Sequence, residues 1–101
     1  MKTLKIVIII LTVFTYSNSF AESNESFCRH VSIYAEKAMH ARQQGVPLSS
    51  LIQAANGSKL FETIILNAYE YPQYSNRHNT GVVISEFRDM WYVLCTKQMN
   101  D

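Results

Sequence analysis

The sequence predicts an all-α protein: a small disulfide-closed bundle of three longer helices plus one short helix, after a cleaved signal peptide. Three observations carry this prediction. The first is the run from Val83 to Cys95, in which Val83, Ile84, Phe87, Met90, Trp91, Leu94 and Cys95 share an arc of roughly 140° at helical spacing. Ser85, Glu86, Arg88, Asp89 and Thr96 fill the other side, and a strand would instead alternate at every second residue. The second is an N-terminal segment that is basic, then apolar, then small. The third is the pair Cys28 and Cys95, the only two cysteines of the chain, which fall near the two ends of the remaining sequence.

Lys2 and Lys5 lead into the unbroken apolar run Ile6 to Leu11, extended by Val13 and Phe14 and closed by Ser19-Phe20-Ala21. A basic end, a short apolar core and small residues at the third and first positions before a cut make residues 1–21 a secretory signal peptide. Cleavage is expected after Ala21, with Ser19 as the other site. The competing reading is an uncleaved anchor, but the run falls short of the about 20 apolar residues that span a bilayer. Loss of this segment takes Lys2 and Lys5 with it, so nine Lys and Arg against eight Asp and Glu become seven against eight. A near-neutral domain carries no electrostatic footprint for nucleic acid or for an anionic membrane. No stable membrane insertion is expected after cleavage.

Residues 22–101 form one helical domain. A chain of this size buries only about 60–65% of its unfolded surface, so a covalent staple is useful. An exported address permits Cys28 and Cys95 to pair, and closing so long a loop contributes roughly 4 kcal/mol in the chain-entropy model. Two free buried thiols are the alternative.

The first helix starts near Ser23 or Asn24 as cap, with Glu25 in the turn where the dipole favours an acid. Phe27, Cys28, Val31, Tyr34, Ala35, Ala38 and Met39 make its apolar arc. Arg29, Glu36, His40 and Gln43 lie opposite, and Gly45 ends the helix. Pro47 opens a second, short helix, for which Ser50-x-x-Gln53 also matches a capping box. Leu48, Leu51, Ile52 and Ala55 form its apolar face, and Asn56-Gly57 closes it. Ser58 caps a third helix with the stripe Leu60, Phe61, Ile64, Ile65 and Ala68, with Leu66 on the far side. Pro72 stops it by Tyr71. The polar stretch Pro72 to Gly81 reads as the longest loop, with Asn79 or Thr80 capping the last helix. A bridge from the start of helix one to the end of the last fits even-numbered antiparallel packing, with the short helix as a corner.

Candidate sites are few. Glu36 and His40, four apart, are short of the three or four converging ligands zinc needs, and read as an exposed ion pair. No nucleophile elbow is present, Ser49 and Ser50 suit helix caps, and no catalytic, metal or cofactor-binding residue is assigned. Arg42 interrupts the apolar arc of helix one and reads as a structural polar anchor. It can satisfy the last carbonyls of its helix, pair with Glu70 or Asp89, or contact an anion. Tyr69, Tyr71 and Tyr74 around Pro72, with Tyr92 on the last helix, form a possible interaction surface, or else close the end of the bundle.

Cys28, Arg42-Gln43-x-Gly45, Leu48, Ala68-Tyr69-x-x-Pro72, Phe87 and Cys95 together resemble a family of small exported two-cysteine helical proteins of unknown function from bacterial and phage genomes. The resemblance implies a periplasmic address and supplies no activity. The expectation is a non-enzymatic, periplasmic or extracellular protein, monomeric or weakly dimeric, that works by binding a protein partner. A periplasmic stress chaperone that exposes apolar surface on acidification is the second reading. A small hydrolase or metal carrier is the third.

Overall fold

A computed structural model of the chain describes residues 24–100. The signal peptide, its cleavage site and Ser23 as a cap lie outside the described residues. The described chain is all-α: α1 (residues 24–43), α2 (Leu48–Ala55), α3 (Lys59–Tyr69) and α4 (Arg77–Asn100).

Each helix end has a local cause. Gly45 adopts φ +82°, and the Val46 and Gly45 amides return to the carbonyls of Ala41 and Arg42. That is the paired closure which a left-handed residue after a helix allows. Pro47 precedes α2 in extended conformation and no side chain caps that helix. The Ser50 amide already donates to the Pro47 carbonyl, so Ser50 lies inside the first turn and the expected capping box is not formed. Asn56 (φ 51°) and Gly57 (φ 83°) terminate α2. The Ser58 hydroxyl accepts from the Phe61 amide at 3.2 Å and caps α3.

The last helix starts earlier than expected. Asn76 Oδ1 accepts from the amides of His78 at 2.7 Å and Asn79 at 3.3 Å. Asn76 therefore does the work assigned to Asn79 or Thr80, and the connection shrinks to residues 70–76. Gly81 consequently lies within the helix.

Side-chain contacts fix the helix directions. Cys28 is bonded to Cys95, and Glu36 meets Arg88 at 3.0 Å, so α1 and α4 run antiparallel. Asn67 meets Trp91 and Tyr71 meets Phe87, so α3 and α4 are antiparallel as well. Tyr34 stacks on Phe61 at 3.9 Å and Arg42 lies over Tyr69, so α3 runs parallel to α1. The disulfide thus joins the start of the first helix to the end of the last.

The core belongs to the three longer helices. Cys28, Val31, Ala35, Ala38 and Met39 of α1 close on Ile64, Ile65 and Ala68 of α3 and on Val83, Phe87 and Cys95 of α4. α2 adds Ala55, with Leu51 and Ile52 partly buried against the core, as fits a corner. Phe87 is 2% exposed, and burying such a side chain contributes about 2–3 kcal/mol. Trp91, expected in the core, is only partly buried, and its indole N–H donates to Asn67 Oδ1 at 3.1 Å. Gln43, expected on the polar face of α1, is buried.

Candidate functional site

The two ends of the bundle differ in how the helices cover one another. At an axial rise of about 1.5 Å per residue, a helix of 11 residues is less than half as long as one of 24. The Tyr34–Phe61 stack places the start of α3 half way along α1, and from there α3 rises to the level of Arg42. Along α4 it lies antiparallel, with Asn67 against Trp91 and Tyr71 against Phe87, so its first turn reaches the disulfide end, where Leu60 lines a groove beside Cys95.

Apolar side chains are left open there. Phe27 is 43% exposed, Leu60 37%, Leu94 47% and Met99 42%. Together with Val31 and Trp91 they line a groove of 350 Å³ beside Cys95. Phe27, Leu60 and Leu94 belong to the apolar arcs read from the sequence. Those arcs are right about which face turns inward, but their outer members line a groove and stay partly exposed at this end of the bundle.

The opposite end is held by polar side chains. Arg42 Nε donates to the Tyr71 carbonyl at 2.9 Å, and its guanidinium lies 5.2 Å from the centre of the Tyr69 ring. It serves the carbonyl end of α3 rather than that of its own helix, and it pairs with neither Glu70 nor Asp89. Asp89 is bonded to Arg88, and Glu70 accepts from Asn67. Gln43 does more: its Nε2 donates to the Pro72 carbonyl at 2.9 Å and its Oε1 accepts from the Tyr74 amide at 2.8 Å. The Gln43 carbonyl also accepts from Gln73 Nε2 at 3.3 Å. Sequence reasoning missed Gln43. The available signal was its place four residues after Met39, in line with the buried Ala35 and Val31.

The four tyrosines do not share one surface. The Tyr69 hydroxyl donates to the Val46 carbonyl at 2.6 Å. Burial raises its pKa, and the nearby Arg42 charge partly offsets this. Tyr71 packs edge-on against Phe87, centroids 5.5 Å apart. Tyr71 and Tyr74 line a second groove of 350 Å³ with Asn79, Val82, Val83 and Glu86. Tyr92 lies at the other end, beside Asn24, Cys28 and Met99.

Glu36 is bonded to Arg88 rather than paired with His40. Arg88 is held above its ordinary pKa, first by the hydrogen bond to Asp89 and then by that to Glu36. Among the described residues no three His, Cys, Asp or Glu side chains gather where they could hold a metal ion. No family model matches the chain, and comparison with curated proteins and with solved structures finds no match.

Proposed function

We propose that the protein is exported to the periplasm and works there by binding another protein through the groove at its disulfide end. The observation that supports this most is the apolar groove itself. Four large, partly exposed apolar side chains from three helices surround one concavity. Convergent exposed apolar groups of this kind suit an apolar partner segment better than a small polar substrate. The disulfide supports the oxidising address, and no described helix is long and apolar enough to cross a membrane.

The test is an affinity pull-down from envelope extract with the exported protein, comparing Leu94→Glu with Leu66→Glu. Both side chains are about half exposed, 47% and 50%, but only Leu94 lines the groove. A charge at a contact centre costs about tenfold or more in affinity, so Leu94→Glu is expected to release the partner and Leu66→Glu to retain it. A complex untouched by Leu94→Glu overturns the reading. Capture of many aggregating clients at low pH, in place of one stoichiometric complex, would favour the stress chaperone.

A further inference from the structure

A buried amide fixes an exposed loop in this fold, and the loop contributes little to the core. Pro72, Gln73 and Tyr74 are all exposed, yet Gln43 binds the Pro72 carbonyl and the Tyr74 amide through its side chain and Gln73 through its carbonyl. The Thr80 hydroxyl adds a bond to the Tyr74 carbonyl at 3.3 Å. Tyr71 is fixed in turn, by Arg42 at its carbonyl and by Phe87 against its ring. Two aromatic side chains are thereby set beside the first turns of α4.

The spacing on α4 supplies the rest. Asn79, Val82, Val83 and Glu86 stand at positions i, i+3, i+4 and i+7, one row of the helix, and all four line the groove with the tyrosines. Glu86 is the only charged residue in that lining. Among the described residues no side chain pairs with it: the two ion pairs formed there join Arg88 to Glu36 and to Asp89. The groove therefore combines the Tyr71 ring, held against Phe87, the exposed Tyr74 ring on a fixed backbone, two valines and one carboxylate without a partner.

We propose that this groove receives a cationic side chain, an arginine presented by a partner protein. The guanidinium stacks on tyrosine through the ring quadrupole and ion-pairs with the Glu86 carboxylate, while its methylene stem lies on Val82 and Val83. The site uses none of the residues of the groove at the disulfide end, so either can fail while the other stands.

The probe is N-acetyl-arginine amide, titrated into the exported protein while backbone amide resonances are followed, with N-acetyl-citrulline amide as its uncharged isostere. Shifts confined to Tyr71, Tyr74, Val82 and Glu86, with arginine bound about fivefold or more tightly than citrulline, are expected for a carboxylate and ring acting together. Glu86→Gln should abolish that preference and Tyr74→Ala should weaken arginine binding, both with an otherwise unchanged spectrum. Equal response to the two probes, no local response to either, or an arginine preference that survives Glu86→Gln would overturn the proposal.

Discussion

Gln43 shows what a single side chain decides in this molecule. Its amide reaches a carbonyl and an N–H two residues apart, Pro72 and Tyr74, in a segment with no regular hydrogen bonding of its own. Removing it strands both groups at a partly buried position, and an unsatisfied group of that kind costs about 1–3 kcal/mol. Gln43→Ala is therefore expected to destabilise by that amount in denaturant melts, and to speed exchange of the Tyr74 amide beyond the global effect. Gln43→Glu should do no better, because a carboxylate cannot donate to the Pro72 carbonyl. Arg42, the residue that broke the apolar pattern, is the more legible neighbour. Its misfit was visible in the sequence. Its partner was not, since a backbone carbonyl 29 positions away leaves no mark on residue type.

At the scale of the helix, α4 shows the difference between a stripe and a boundary. The stripe Val83, Phe87 and Cys95 is buried as its spacing requires. The start is set instead by which of several competent caps makes the bonds, and Asn76 makes them before Asn79 or Thr80 can. Gly81 is thereby placed inside a helix, where a Cβ would meet nothing within 4 Å. Gly81→Ala is expected to stabilise the protein by about 0.5–1 kcal/mol, because the unfolded chain loses freedom and no native contact is disturbed. A thermal melt that rises by several degrees checks it. Gly45 lacks that freedom: it holds φ +82°, and an added Cβ would sit 3.2 Å from Gln73 Nε2.

For the molecule as a whole, the decisive feature is a covalent tie at the end where large apolar side chains stay partly exposed. At the centre of the bundle, three helices enclose Phe87, Met39, Ile64 and Ile65. At the disulfide end, α1 and α4 are tied by the bridge between Cys28 and Cys95, whose Cα atoms are 5.5 Å apart across a separation of 67 residues. Replacing both cysteines with serine is expected to cost about 4 kcal/mol in the loop-entropy account, a large share of the roughly 5–10 kcal/mol that a domain this small possesses. The loss should be uneven. Hydrogen exchange should rise first in residues 24–31 and 92–100, while the amides of Ile64, Ile65 and Phe87 stay protected. Uniform acceleration would show that the disulfide end unfolds only with the core.

Helical periodicity, the glycines and prolines between elements, and two cysteines at opposite ends were enough to determine the fold class and the three apolar faces, and they made a bridge between Cys28 and Cys95 the expected pairing. These features are local, or depend only on chain order, so they can be read directly. Tertiary structure alone decided that Gln43 is buried, that Arg42 serves the far end of α3, and that Phe27, Leu60 and Leu94 are left open although their arcs face inward. Each of these depends on which residues distant in sequence come to lie beside it. An apolar arc specifies a direction around the helix axis but not the level at which a neighbouring helix begins. That level is set by the length of α2 and by the Tyr34–Phe61 stack, through contacts between residues distant in sequence.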